Sequence, residues 1–152
     1  MKYYDKQASA LANRYLQNLS IFDTLPKKKL KVSPRYMRSK LASTGGDCYL
    51  ANGRYFMDNA YKQPNLRLVH GEVMGQGDLQ GISYGHCWCE IDGDVLDFSN
   101  GREIRIDKRV YYALGSIDRL NNFHTYDLME FNEKISEFAH WGPWDLKTKT
   151  GL

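Results

Sequence analysis

Cysteine is scarce in this chain, and its count has the wrong parity for a disulfide framework. Cys48, Cys87 and Cys89 are three thiols in 152 residues, an odd number without framework spacing, which agrees with a reducing compartment. Long apolar runs are also missing. Nothing approaches the roughly 20 residues that span a bilayer, and residues 1–25 lack the basic start, apolar stretch and small-residue cleavage site of a signal peptide. The expectation is a cytoplasmic protein with no membrane partner. An excess of one charge is lacking too: a net charge of +3 does not mark the whole molecule as a binder of nucleic acid. There is no internal repeat or low-complexity segment, and the length fits a single domain, 1–152, with an ordinary core.

What charge there is clusters. Lys27, Lys28, Lys29, Lys31, Arg35, Arg38 and Lys40 fall in residues 27–40 with no acid among them, interleaved with Tyr36 and Met37. Such a run is most simply a solvated loop; its alternative use is to hold an anionic partner such as nucleic acid, a nucleotide or an acidic protein. Before it, Ala8, Leu11, Ala12, Tyr15, Leu16, Leu19 and Phe22 recur at helical spacing, predicting an amphipathic helix near 5–23 that ends before Pro26. Residues 1–44 are thus a helix plus a basic loop.

Gly45-Gly46-Asp47-Cys48-Tyr49 follows. Two glycines permit a sharp turn, and Tyr49, Leu50, Phe56, Met57 and Ala60 continue as a helix-compatible run to about Lys62. A thiol at a helix N-terminus meets unpaired N–H groups and the positive end of the helix dipole, which favour the nucleophilic thiolate. Gly53 inside this helix costs about 1 kcal/mol relative to alanine and marks a close contact.

From Leu66 the period becomes alternating. Leu66 to Val73 reads as a strand interrupted by Gly71, and Gly75 to Gly81 as a loop. Ile82 to Ile91 and Asp94 to Ser99 are two further strands joined by Asp92-Gly93, a strong local hairpin signal. A short strand over Ile104-Arg105-Ile106 closes the 45–107 core. In residues 108–152, Asp107 caps a brief helix that Gly115 stops, Asp127 and Glu130 resemble a capping box ahead of a helix through Phe138, and the tail after Trp144 is expected to fray.

A two-residue loop at Asp92-Gly93 sets Ile91 opposite Asp94 and Trp88 opposite Asp97. Tyr84, His86, Trp88 and Glu90 then share a face with Val95, Asp97 and Ser99, and Asp97 is the diagonal neighbour of His86. A carboxylate there fixes the imidazole tautomer and leaves the other ring nitrogen for a thiol. The candidate catalytic residues are therefore Cys48, His86 and Asp97. His70 is a competing base without an orienting carboxylate. Tyr49 beside the thiol, with Tyr84 and Trp88 on the histidine face, are candidate substrate-binding side chains. His86-Cys87-Trp88-Cys89 invites a metal site, but strand alternation turns both cysteines away from His86, so no metal and no cofactor is expected.

These residues resemble the transglutaminase-like branch of the papain-like cysteine enzyme superfamily. The likeness lies in a glycine-preceded Cys followed by an aromatic residue (Gly46-Asp47-Cys48-Tyr49), a His-x-Trp-x-Glu strand (His86 to Glu90) and an Asp on the next strand (Asp97), over residues 45–100. Val73-Met74-Gly75 is similar to the family's valine-x-glycine element. The resemblance implies an α+β fold in which a nucleophile-bearing helix packs on a small antiparallel sheet. It also implies thiol chemistry on amides: a cysteine peptidase or amidase, or an acyltransferase, acting on a protein or peptide-like substrate. The alternative is a non-catalytic papain-like module that uses the basic segment.

Overall fold

A computed structural model describes residues 27–28, 48–75, 79–99 and 103–147. It is an α+β arrangement around a six-stranded antiparallel sheet. In chain order the elements are β1 (Lys27–Lys28), α1 (Cys48–Asn59), β2 (Arg67–Met74), β3 (Ser83–Ile91), β4 (Asp94–Asp97), β5 (Ile104–Asp107), α2 (Lys108–Gly115), α3 (Ile117–Leu120), β6 (Phe123–Tyr126) and α4 (Leu128–Phe138). The sheet order is β1-β5-β4-β3-β2-β6, with every neighbour antiparallel.

The hairpin expected from Asp92-Gly93 is present. Asp92 (φ 50°) and Gly93 (φ 81°) both occupy left-handed space, as the tight turn matching strand twist demands. The ladder runs Ile91↔Asp94, Glu90↔Val95 and Cys89↔Leu96, in the register expected from a two-residue turn. Strand β2 is continuous, not broken at Gly71. The glycine is there for room: a Cβ would lie 2.4 Å from Trp88 Cη2, so the indole occupies the space a side chain would take.

The sheet buries both faces. On one, Val69, Val73, Trp88, Val95, Ile104 and Ile106 pack against Val110, Tyr111, Leu114 and Ile117 of α2 and α3. On the other, Leu68, Cys87, Cys89 and Leu96 meet Ala51, Tyr55 and Phe56 of α1 and Phe131 of α4. Each such large apolar side chain contributes about 1.5–3 kcal/mol relative to exposure. Gly53 lets Trp141 lie on α1, since a Cβ would sit 2.7 Å from its Cε3.

Several elements differ from the expectations. Helix α1 ends at Asn59, with turns from there to Lys62. Strand β4 ends at Asp97, because that carboxylate takes the Ser99 N–H out of the ladder. Asp107 caps α2 through Arg109 N, but Gly115 is still helical and Ser116 (φ 50°) is the left-handed residue. Asp127 caps α4 by accepting from Glu130 N, as expected. Strand β6 and helix α3 were not anticipated. Nor does the tail fray up to Lys147: Asp145 accepts from Tyr126 Oη (2.6 Å) and Lys134 Nζ (2.9 Å), and the Lys147 backbone pairs with Asn122. The helix predicted near 5–23 lies outside the described residues.

Candidate active site

Helix α1 begins with its thiol and is held to the sheet by one buried amide. Asn52, a turn beyond Cys48, places Nδ2 at 3.0 Å from the Cys48 carbonyl, 2.9 Å from the Cys87 carbonyl and 3.2 Å from Asp97 Oδ1. Its Oδ1 accepts from Phe98 N–H at 3.0 Å. A peptide N–H only donates, so this contact settles which way round the amide lies. One side chain thereby ties the Cys48 helix to β3 and to the end of β4. The sequence reading missed Asn52; its signal is a polar residue in the i, i+4 stripe between Cys48 and Phe56, where an apolar one would suit the core.

At the end of β4 the Asp97 carboxylate is buried and fully engaged. Oδ1 accepts from Ser99 N (2.9 Å) as well as Asn52, while Oδ2 accepts from His86 Nε2 (2.9 Å) and from the Tyr111 hydroxyl (2.8 Å). Tyr111 was also missed, because it arrives from α2 on the opposite side of the sheet from α1. Burial alone would raise the Asp97 pKa, yet the charge and hydrogen bond of His86, with the Ser99 bonds, hold it well below the usual carboxylate range. For His86, burial would lower the pKa. The Asp97 charge and hydrogen bond, together with the neighbouring Cys48 thiol, outweigh that and raise it far above an ordinary histidine. The two shifts describe one ion pair.

The structure thus brings together the three residues picked from sequence. Nε2 of His86 is committed to Asp97, which leaves Nδ1 for Cys48. Cys48 keeps 6% of its surface exposed, whereas Cys87 and Cys89 keep none; burial raises both of those thiols, and Cys89 Sγ lies 3.6 Å from Asn52 O. They pack between sheet and helix, away from His86's face. Among the described residues no group of His, Cys, Asp and Glu side chains is placed to hold a metal ion.

The candidate substrate-binding residues divide. Tyr84 is 40% exposed, its ring 6.0 Å from that of His86. Tyr49 is half-buried, and its hydroxyl sits over Gly85, where a Cβ would be 2.7 Å away. Trp88 is wrongly assigned to substrate: it is fully buried, donates Nε1–H to Glu90 Oε1 at 2.9 Å, and packs against Tyr111 and Tyr112. It shares His86's parity, but two residues further along β3 that face lies under α2. His70 is fully buried among Tyr49, Tyr126 and Trp144, and neither ring nitrogen has a partner among the described residues. It is not a base for Cys48.

Lys27 and Lys28 form β1 and pair with Ile106 and Arg105, not a loop. Lys29, Lys31, Arg35 and Arg38 lie outside the described residues, as does the Gly45-Gly46-Asp47 turn. No helix among the described residues is long and apolar enough to cross a membrane. No family model, no curated protein and no solved structure matches this chain.

Proposed function

We propose that this protein is a thiol-dependent hydrolase or acyltransferase that acts on an amide bond, with a papain-like (transglutaminase-like) core. Cys48 is its nucleophile, His86 its base and acid, and Asp97 the group that orients His86. One observation carries the reading: His86 is bonded to a buried carboxylate at 2.9 Å, and the Cys48 thiol stands close enough to it to help raise its pKa. A histidine held only for packing needs neither an ionised partner nor a thiol.

In the first half-reaction the thiol proton resides on His86 while Cys48 Sγ attacks the carbonyl carbon. The tetrahedral oxyanion collapses, the C–N bond breaks, and His86 gives the proton to the departing amine. A thioester remains on Cys48. Water, or a second amine in an acyl transfer, then attacks it; His86 accepts the proton from that nucleophile and returns it to the sulfur as the thioester breaks. Asp97 stays ionised throughout and stabilises the imidazolium in each half.

The reading is tested with an activated ester such as p-nitrophenyl acetate, which acylates a competent thiol directly. A stoichiometric burst of nitrophenolate and an acetyl mass on the Cys48 peptide are expected, both lost in Cys48→Ala. Acylation that is absent, or undiminished in Cys48→Ala, overturns it.

A further inference from the structure

The Asp97 oxygen that receives His86 also receives the Tyr111 hydroxyl. The two distances are nearly equal, 2.9 Å from His86 Nε2 and 2.8 Å from Tyr111 Oη, both to Oδ2. Tyr111 is held by packing rather than by chance: it lies in α2, whose start is capped by Asp107, and its ring centroid is 5.5 Å from that of Trp88 beneath it. Both side chains are buried, so no bulk solvent dilutes the effect of the hydroxyl on the carboxylate. A donor on a carboxylate stabilises its charge and draws electron density from the shared oxygen, which lowers that oxygen's pull on a second donor's proton.

We propose that Tyr111 is a positioning residue that sets the basicity of His86 through Asp97, keeping the imidazole able to release the proton it has taken. Among the described residues the titratable groups facing His86 are Cys48 from α1, Asp97 from β4 and Tyr84 from its own strand, with the Trp88 ring 6.2 Å away; Tyr111 reaches it from α2 through Asp97. Without the hydroxyl, Oδ2 loses one of the two donors that bond it at 2.9 and 2.8 Å and holds the imidazolium more tightly. Such an imidazolium protonates a leaving amine less readily. The role in turnover rests on the thiol-enzyme reading above, whereas the effect on His86 does not.

The test uses the Cys48→Ala background, in which His86 titrates without its thiol partner and no turnover interferes. The His86 midpoint, followed by nitrogen-15 NMR of the ring, should rise in Tyr111→Phe by about 0.5 pH unit, a threefold change in proton affinity. Replacing Tyr111 by 3,5-difluorotyrosine keeps the ring and strengthens the donor, so the midpoint should fall; this arm stands if the phenylalanine variant folds poorly. A residue that merely fills space would move the midpoint in neither direction, and unchanged midpoints, or a fall in Tyr111→Phe, overturn the proposal. Shifted midpoints in a protein whose Cys48 cannot be acylated would retain the coupling and remove the enzyme reading. Unshifted midpoints with an acylated Cys48 would do the reverse.

Discussion

His70 makes the fold acid-labile in a way that one substitution should abolish. It sits in β2 with no exposed surface, enclosed by the rings of Tyr49, Tyr126 and Trp144 at centroid distances of 4.9, 5.0 and 4.7 Å, and Gly142 approaches so closely that a Cβ there would lie 2.5 Å from Cε1. Burial lowers its pKa from 6.5 to about 3, Asp145 opposing the shift and His124 and His140 adding to it. The folded value lies below the unfolded one, so between them the unfolded chain binds a proton that the native state refuses. Stability therefore falls as pH drops from about 6.5, by about 1.4 kcal/mol per pH unit and on the order of 5 kcal/mol across the whole interval. His70→Leu keeps a similar volume and removes the titrating group. At neutral pH it also removes two nitrogens that have no hydrogen-bond partner among the described residues, each of which costs about 1–3 kcal/mol to bury, so the variant should be at least as stable there. Urea unfolding midpoints of both proteins at pH 7, 6, 5 and 4 give the difference directly, because every other carboxylate and histidine is common to both. The gap should widen in the variant's favour at each acid step. Parallel curves, or a His70 ring resonance that titrates near pH 6.5 in the folded protein, would refute the argument.

Asn52→Ala should destabilise by about 3 kcal/mol in urea unfolding, since it leaves the Phe98 N–H, the Cys87 carbonyl and one Asp97 contact without their buried partner; a loss under 1 kcal/mol would mean the clamp is redundant. Gly71→Ala should cost about 1–3 kcal/mol or more by thermal unfolding, because its Cβ meets the Trp88 ring in a strand that cannot yield. Asp97→Asn should show its largest stability loss between about pH 4 and 6.5, where the unfolded aspartate is charged and the unfolded histidine still binds its proton. Towards the alkaline side that loss should shrink as pH approaches the raised His86 value of about 10, because there the native pair gives up its proton and the ion pair with it. A loss independent of pH would show that the pair is held by packing instead of charge.

The legible parts of the chain are those whose signal is local. Asp92-Gly93 fixes a turn by its own backbone preferences, the turn fixes the register, and the register brings Asp97 to His86. Asp127 with Glu130 three residues on is equally local. What failed to show depends on distant partners. Phe123-His124-Thr125-Tyr126 is an edge strand with three exposed residues and no alternation to betray it; it exists because β2 offers an unpaired side. The end of the tail is polar by composition, and only the fold brings Tyr126 and Lys134 to Asp145. Trp88 has the right parity for the site, but parity says nothing about which stretch of a strand face a helix will cover. Asn52 and Tyr111 converge on Asp97 from opposite layers, and no spacing rule connects residues 45 and 14 positions away from it.

The proposed pairing of Cys48 with His86 is measured by the rate of Cys48 alkylation. Native protein is treated with iodoacetamide at neutral pH, and the modified cysteine is mapped by peptide mass in the wild type and in His86→Ala. Cys48 should react first, with Cys87 and Cys89 protected until unfolding, and its rate should fall at least about tenfold in His86→Ala, where the thiol has lost its base. Equal rates in the two proteins, or equal labelling of all three cysteines in the native state, would contradict it.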